Sequence, residues 1–503
     1  MKLNMYGNKK RTSLAFAIAG LIYSGNSLAA QQIEPPRDNL SSQPNVIVIY
    51  TDDQGWGDVG YHGFNDIHTP NIDALAAGGV HFPQAYVSAS VCGPSRAGLL
   101  TGVYQQRFGV YGNFAQNHVP RSQPLMMEMM QDLGYTTGVI GKWHMGEPTG
   151  RPNERGADFF YGFHGGSHNY MLSDTEEGGK PWLSPLYRNT ETEPPIQESN
   201  GYLTELFTDE AVSFIENNAD KPFFLHVAHF AVHHPWQVPD GYIERLDHLD
   251  VHHEERRFFA AQTLVLDDGI GAIMDTLKSH QLDKDTLVFF MSDNGTPSGQ
   301  GFEEPRKKKR GETTMSSPGP FNGFKGDTYE GGIRVPFIIH YPAQIKPGMK
   351  YDPMVSSLDI FPTIAARFGI NEIEATTHTE AIPFDGVDLF PYLLGEKGGE
   401  PHQTLYWRRD NDYAIRDGHW KLAVNDDNGP RTIRLFDMEN DPGEWHDLAT
   451  AKPDIAQALK DKFDAWEATL PVNKLSNKPT NRNIDFNQGV RINVKEFNQQ
   501  LNN

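Results

Sequence analysis

The chain has 503 residues, which corresponds to two or three domains of ordinary size and is enough to bury a large core. Hydrophobic residues make up 38% and charged residues 22% of the sequence, a balance typical of folded proteins. The formal net charge of −21 argues against a general nucleic-acid-binding protein, which would need a basic face. It does not exclude an anionic substrate, because a small basic site can lie in an acidic protein.

The first 29 residues have the pattern of a secretory signal peptide. Basic side chains near the start precede an apolar run over 14–23, and small residues follow over 25–30. The run is too short to span a bilayer, and no later segment is apolar enough to do so. We therefore expect a periplasmic or secreted protein without membrane insertion. Its only cysteine, Cys92, leaves no internal disulfide.

Short apolar runs alternate with helical patterns as far as about residue 400. A continuous apolar run is typical of a strand that is buried on both faces of a parallel sheet. The alternation predicts an α/β domain over 30–400 with a large, mostly parallel sheet between layers of helices. The predicted strands are Val46–Tyr50, Thr136–Ile140, Pro222–Val227, Thr286–Met291 and Val335–His340, and the predicted helices are Asn71–Ala77, Pro124–Leu133, Leu203–Asn217 and Phe258–His280.

The pattern changes after residue 400. Four short segments near 405–407, 413–416, 420–423 and 434–436 are separated by turn residues, which predicts a small antiparallel sheet. A helical pattern follows over 454–469. We therefore expect an α+β subdomain over 401–475 and a polar tail, rich in Asn and Gln, over 476–503.

Polar residues stand where the predicted strands end. Asp52 and Asp53 follow the first strand, and Asp293 and Asn294 follow the fourth. In open α/β sheets, sites form beyond the carboxyl ends of the strands. Two adjacent carboxylates repel each other unless a cation lies between them, and hard oxygen donors favour Ca²⁺ or Mg²⁺. The sequence therefore predicts a metal site at this edge.

The segment Cys92–Gly102 carries the most specific motif. Pro94 suits the first turn of a helix, which places Cys92 at the helix N-terminus, where an anion is favoured. Arg96 adds a cation nearby.

This segment resembles the C-x-P-S-R signature of type I sulfatases, in the alkaline phosphatase superfamily. The resemblance extends in order from about residue 44 to about 450, and the motifs together are highly specific. The other matching segments are Asp52–Asp58, Gly141–Gly146, Ser292–Gly295, Lys325–Pro336 and Phe436–Glu444.

The resemblance implies a fold, a cofactor and a nucleophile. The fold is alkaline-phosphatase-like, and one Ca²⁺ is bound by the positions that match Asp52, Asp53, Asp293 and Asn294. Cys92, oxidised to formylglycine by a separate maturation enzyme, completes the metal shell. One hydroxyl of the hydrated aldehyde attacks sulfur, with Asp293 as its base, and the second is needed to expel sulfate.

The resemblance also assigns charged and proton-transferring residues. Arg96, Lys142 and Lys325 stabilise the sulfuryl oxygens, a role that suits fixed cations. His144 matches the residue that assists sulfate release. His233 matches the residue that protonates the leaving oxygen when the segment is aligned on its proline, and His229 and His234 stay open as alternatives.

Substrate indications come from sequence position and composition. A basic stretch at Arg306–Arg310 indicates either a flap for a polyanionic sugar or a solvated charge run. The resemblance implies a sulfatase, and the predicted export, the size of the chain and this basic loop favour sulfated oligo- or polysaccharides, of the algal galactan or glycosaminoglycan type, as its substrates. The alternatives are a broad arylsulfatase, a phosphoester or phosphonate hydrolase on the same fold, and a non-catalytic glycan-binding relative. Candidate sugar-lining residues are His164, His168, Asn169, Tyr170, Trp182 and Trp236.

Overall fold

The computed structural model describes residues 43–113, 119–146, 149–173, 184–196, 201–248, 254–297, 315–371, 381–425 and 433–471. They belong to one compact unit that begins at Ser41. The predicted signal peptide, the polar tail, the basic stretch 306–310 and Trp182 lie outside these ranges. Within the described ranges, no helix combines the length and apolar character that crossing a membrane requires.

Strands and helices alternate through most of the described chain. The strands are β1 (Asn45–Thr51), β2 (Val80–His81), β3 (Ala85–Tyr86), β4 (Thr136–Lys142), β5 (Phe159–Phe163), β6 (Tyr187–Arg188), β7 (Glu191–Thr192), β8 (Phe223–Ala228), β9 (Thr286–Ser292), β10 (Phe337–His340), β11 (Met349–Lys350), β12 (Val355–Ser356), β13 (Thr404–Arg409), β14 (Asp412–Asp417), β15 (Trp420–Val424) and β16 (Arg434–Asp437). The α-helices are α1 (Pro70–Gly78), α2 (Cys92–Thr101), α3 (Met126–Asp132), α4 (Leu203–Asn217), α5 (Asp240–Glu244), α6 (Glu254–Ser279), α7 (Glu330–Ile333), α8 (Ile360–Arg367), α9 (Phe390–Leu393) and α10 (Pro453–Glu467).

The main sheet has ten strands in the order β11-β2-β10-β9-β1-β8-β4-β5-β6-β7. Its central strands β9, β1, β8, β4 and β5 are parallel, which confirms the predicted fold class. The predicted strand over 335–340 is β10, and it pairs antiparallel with β9. The chain before β10 lies at the carboxyl edge of β9, where Lys325 N donates to Thr296 O. Strand β10 therefore starts at that edge and runs in the direction opposite to β9.

Alternate residues of β1 enter two different hydrophobic clusters. Val46, Val48 and Tyr50 pack into one cluster, and Ile47 and Ile49 pack into the other. All five side chains are fully buried. A strand covered on both faces reads as a continuous apolar run, which is why this strand could be predicted.

The C-terminal sheet, β13-β14-β15-β16, is antiparallel throughout, as its short segments predicted. Helix α10 packs against it, and Leu459, Phe463 and Trp466 share a hydrophobic cluster with Ile415 and Leu422. The sheet thus has its own small core. The sheet also contacts the segment near Gly326 and Thr328, at the carboxyl edge of the main sheet.

Candidate active site

Four neighbouring strands of the main sheet deliver polar side chains to one edge. Thr51 of β1 lies opposite Ser292 of β9, so Asp52 and Asp293 leave the sheet side by side. Strand β4 ends at Lys142, and β8 leads into the loop that carries His233. The parallel register therefore brings together residues that are far apart in sequence.

Three buried carboxylates at this edge pair with three cations, and Arg96 Nη2, the partner of Asp293, also lies 3.5 Å from Asp52 Oδ2. We call these six residues the active-site cluster. The pairs are Asp52 with Lys142 at 2.5 Å, Asp53 with Lys325 at 2.5 Å, and Asp293 with Arg96 at 2.8 Å.

Burial and neighbouring charge shift the pKa values of Asp52 and Asp293 in opposite directions. Burial and the carboxylate of Asp52 raise the pKa of Asp293 to about 6. Burial opposes ionisation of Asp52 as well, but Lys142 and Arg96 hold its pKa below the usual range. The site therefore favours ionisation of Asp52 and makes Asp293 the more readily protonated of these two carboxyl groups.

The donor atoms around Asp53 suit a hard divalent cation. Asn294 donates its Nδ2 to Asp53 Oδ1 at 2.7 Å, whereas its own Oδ1 is buried without a hydrogen-bond partner. A buried amide oxygen left unpaired costs free energy unless a ligand binds it. Ligand atoms of Asp52, Asp53, Cys92 and His233 also lie within 4.8 Å of one another. The oxygen donors of Asp52, Asp53 and Asn294 fit the predicted metal.

Cys92 is the first residue of α2 and is buried beside the carboxylates. Its Sγ lies 3.6 Å from Asp52 Oδ1. Burial raises the pKa of the Cys92 thiol to about 12. The next backbone amide, Gly93 N, donates to Asn113 Oδ1 at 2.9 Å, a contact that no sequence pattern indicated.

Arg96 is turned toward Asp293 and the backbone. Its Nε and Nη2 donate to Asp293 Oδ2 at 3.1 and 2.8 Å, and its Nη1 donates to Lys142 O at 3.0 Å. The side chain is only 1% exposed. Arg96 therefore orients Asp293 and the end of β4, in addition to the electrostatic role that the resemblance implies.

The two lysines approach the site from different sides and differ in exposure. The Lys142 side chain is fully buried, and the preceding Gly141 has a φ of +107°. A Cβ on Gly141 would lie 2.0 Å from Ala228 O, so only glycine allows β4 and β8 to approach here. Lys325 is 19% exposed and is the most exposed side chain of the six in the active-site cluster.

Three histidines are candidates for the group that protonates the leaving oxygen. Of these three, His233 is the one whose ring lies within 4 Å of a carboxylate. His233 Nε2 lies 3.7 Å from Asp53 Oδ2, and its Nδ1 lies 2.6 Å from His234 O. Because a carbonyl only accepts, Nδ1 carries a proton and Nε2 faces Asp53. His234 stacks on His233 at 4.2 Å, whereas His229 is fully buried beside Phe207, 6.5 Å between rings.

His144 follows β4 in a left-handed backbone conformation, with φ of +54°. Its amide donates to His164 O at 3.1 Å, and its ring Nδ1 is buried without a hydrogen-bond partner. Burial and the charge of Lys142 lower its pKa well below 6.5, so the ring is neutral. A Cβ on Gly166 would lie 2.4 Å from its Nε2, so a glycine there makes room for the ring.

Two of the predicted sugar-lining residues are structural. Tyr170 is fully buried, and its hydroxyl donates to the carbonyl oxygens of Phe230 and His233 at 2.9 and 2.8 Å. His168 is fully buried as well and lies between the carbonyl oxygens of Asn169 and Ser184. The expectation that they contact sugar is wrong, because both are satisfied inside the fold. Tyr170 instead supports the loop of His233.

Comparison with known proteins agrees with this geometry. The family model described as Sulfatase matches residues 44–370, which is more than half of the chain. The chain is a member of the sulfatase family. A second model, described as N-sulphoglucosamine sulphohydrolase, C-terminal, matches residues 324–468 of this sulfatase.

Individual relatives align over most of their length. Human arylsulfatase A is 31% identical, and the alignment covers 84% of this sulfatase and 87% of the human protein. N-acetylgalactosamine-6-O-sulfatase of Bacteroides thetaiotaomicron is 28% identical, with 86% and 95% covered. The crystal structure of Ps i-CgsB superposes with a TM-score of 0.74 at 32% identity and covers 86% of this sulfatase and 94% of its own chain.

Proposed function

We propose that this protein hydrolyses sulfate esters of a carbohydrate, of the algal galactan or glycosaminoglycan type, and uses Ca²⁺ and a formylglycine made from Cys92. The observation that carries the proposal is the position of Cys92. It begins α2 with Sγ 3.6 Å from Asp52, next to the active-site cluster, which holds Lys142 and Lys325. An anionic ester meets fixed cations there, beside the group that becomes the nucleophile.

Oxygen donors and the modified Cys92 would hold the metal. Asp52, Asp53, Asp293 and Asn294 offer carboxylate and amide oxygens, which are the ligands that Ca²⁺ prefers. The cation would withdraw charge from the sulfate ester and lower the pKa of a bound hydroxyl. Conversion of Cys92 requires oxidation of the thiol carbon to an aldehyde, which we assign to a separate maturation enzyme.

The chain's own residues bind the ester and orient the reacting groups. Lys142 and Lys325 lie against Asp52 and Asp53 and can turn their ammonium groups to the sulfuryl oxygens. Arg96 keeps one oxygen of Asp293 fixed, which orients this carboxyl group to accept the nucleophile's proton.

Two histidines are assigned to opposite proton transfers. His233 Nε2 faces the site, and its Nδ1–H stays bonded to His234 O, so the neutral ring carries no proton on Nε2. The ring therefore has to take up a second proton on Nε2 from solvent before it gives that proton to the leaving sugar oxygen and returns to the neutral Nδ1–H form. His144 Nδ1, buried without a hydrogen-bond partner, is the atom that accepts a proton when sulfate is released.

The names of relatives and the predicted signal peptide support the proposed carbohydrate class. One relative is named as an N-acetylgalactosamine-6-O-sulfatase, and the Ps i-CgsB structure was also determined in complex with k-i-k-neocarrahexaose. The predicted signal peptide favours action in the periplasm or outside the cell, where such polymers are found.

The test is sulfate release, measured by ion chromatography, from matured protein with Ca²⁺. The substrates are carrageenan-type and glycosaminoglycan oligosaccharides, an aryl sulfate and a phosphonate monoester. We expect release from one of the two sugar classes at a kcat/KM above that for the aryl sulfate. Turnover of the aryl sulfate alone would remove the carbohydrate claim, and turnover of the phosphonate ester alone would contradict the sulfatase assignment.

A further inference from the structure

Lys325 and Gly326 connect two loops of the active site. Lys325 N donates to Thr296 O at 2.7 Å, in the loop that follows β9. Gly326 N donates to Ser90 O at 2.8 Å, just before Cys92. The placement of this dipeptide therefore fixes the lysine relative to both the nucleophile and the metal-site residues.

The C-terminal sheet holds the same segment from the opposite side. Arg409, at the end of β13, donates its Nη1 to Gly326 O. Asn425, directly after β15, is 3% exposed, and its Oδ1 accepts from Thr328 N at 2.7 Å and from Thr328 Oγ1 at 3.0 Å. Both contacts fall within three residues of Lys325.

A buried ion pair holds the end of the segment. Lys421 of β15 donates to Glu330 Oε1 at 2.8 Å and lies 2.8 Å from Glu444 Oε1. Glu444 Oε2 in turn accepts from Glu330 N at 2.6 Å. All three side chains are buried, and we call them the Lys421 cluster.

Charge in the Lys421 cluster keeps this anchor in place. Burial opposes ionisation of Glu330, but Lys421 and Arg334 outweigh it and lower its pKa to about 2. Glu330 is therefore ionised, and able to pair with Lys421, at pH values well above 2. A segment fixed at Gly326, Thr328 and Glu330 has little freedom to shift.

We propose that Asn425 and Lys421 are positioning residues for Lys325, so that the C-terminal sheet sets where this cation meets the sulfate group. The inference rests on the proposed function only for the identity of the bound anion. Neither residue touches the reacting atoms. Each acts through the backbone between Lys325 and Glu330, and a displacement of roughly 1 Å at a binding group can cost about a hundredfold in rate.

A double-mutant cycle on the matured full-length protein tests the coupling. We expect Asn425→Ala to lower kcat/KM for the aryl sulfate about tenfold or more, and Lys325→Ala to lower it further. The double variant should be no worse than Lys325→Ala, because the lysine that Asn425 positions is then absent. The control, Thr404→Ala, removes a 2.7 Å hydrogen bond to Asp417 within the same sheet and should leave kcat/KM within about twofold.

The inference would be overturned if the double variant lost kcat/KM by the product of the two single losses. It would also be overturned if Asn425→Ala were as active as the wild type. Lys421→Arg keeps the positive charge and should therefore retain a higher kcat/KM than Lys421→Met. A second readout is the rise in melting temperature with inorganic sulfate, which should shrink in both Lys325→Ala and Asn425→Ala. If the wild type hydrolyses no sulfate ester but shows this pattern, the proposed function fails and the positioning inference stands.

Discussion

The two buried charge clusters of this protein differ in what they leave unsatisfied. In the Lys421 cluster, Glu330 uses both carboxylate oxygens, one with Lys421 and the other with Tyr86 and Arg334. In the active-site cluster, each carboxylate also has a cation, but two neighbouring atoms, Asn294 Oδ1 and His144 Nδ1, are buried without a partner.

The difference shows that burial of charge alone does not mark a functional site. Both clusters are removed from water, and both pair opposite charges at short distance. Buried atoms without a hydrogen-bond partner lie near both, because Asn425 Nδ2 in the anchor of the Lys421 cluster also has none. What separates the two is access to solvent: the active-site cluster has an exposed edge, at Lys325, whereas the side chains of the Lys421 cluster are fully buried. Unpaired buried atoms are costly in a folded protein, and those beside the exposed edge are the ones that a ligand can reach and complete.

The largest expected effect is at the nucleophile. Cys92→Ser should lower sulfate release by about 10³-fold or more, because a serine hydroxyl cannot provide the second hydroxyl that expels sulfate. The melting temperature should change by no more than a few degrees, since the side chains are similar in size. A serine variant with near-normal steady-state turnover would show that formylglycine is not required.

Substitution of the histidines tests the proton-donor assignment. His233→Ala should lower kcat on a sugar sulfate about a hundredfold, and much less on an aryl sulfate, whose leaving group needs no proton. His234→Ala is the matched control and should remain within about tenfold on both. If His234→Ala shows the leaving-group dependence and His233→Ala does not, the two roles must be exchanged.

Loss of the central cation should destabilise the Lys421 cluster strongly. Lys421→Met leaves Glu444 buried without its cation and Glu330 with Arg334 alone, and we expect the unfolding free energy to fall by about 3 kcal/mol. The control is Lys462→Met, which removes an exposed pair with Asp417 and should cost less than about 1 kcal/mol. Urea unfolding measures both, and equal losses would contradict the account of this cluster as an anchor.

Metal binding should depend on the unpaired amide oxygen. Asn294→Ala should weaken Ca²⁺ affinity at least about tenfold, judged by calorimetric titration, because a ligand matters at least as much as its supporting hydrogen bonds. Asn113→Ala, next to the site but without a carboxylate contact in the described residues, is the control. Unchanged Ca²⁺ affinity in Asn294→Ala would remove this residue from the metal shell.

The smallest effect concerns pH and stability at the His402–Asp359 pair, 2.7 Å apart. Burial lowers the pKa of His402, but Asp359 outweighs it and the net pKa is raised above 6.5. The folded state therefore holds the proton more tightly, so this stabilisation is complete below pH 6.5 and is lost as pH rises through the folded pKa.

His402→Gln should accordingly destabilise the protein more at pH 6 than at pH 9. The exposed pair of His446 and Asp441, 3.4 Å apart, supplies the control variant His446→Gln, which should be nearly neutral at both values. The measurement is urea unfolding at each pH. A destabilisation by His402→Gln that grows with pH would contradict the raised pKa.

Much of the fold and of the site could be predicted because the signals are local. Continuous apolar runs mark the central strands, and the polar residues directly after them, such as Asp52 and Asp293, mark the carboxyl edge. The start of α2 at Cys92 followed from Pro94 in its first turn.

Long-range pairing could not be predicted in the same way. Arg96 and Asp293 are 197 positions apart, and nothing in either motif shows that they bond to each other. From the sequence alone, Tyr170 could either pack against a sugar or support the fold from inside. Its hydrogen bond to His233 O shows that it supports the fold. Strand β10 pairs antiparallel with β9 because of the path that the preceding segment takes. The pattern of hydrophobic residues does not contain this information.

The most direct test of the central claim compares one protein prepared with and without a formylglycine-generating maturation enzyme. Mass spectrometry gives the fraction of Cys92 peptides that carry the aldehyde, and ion chromatography gives sulfate release from the preferred oligosaccharide in Ca²⁺. We expect the rate of sulfate release to be proportional to the aldehyde fraction and to vanish when that fraction is zero. An equal rate from protein that carries only the intact Cys92 thiol would contradict it.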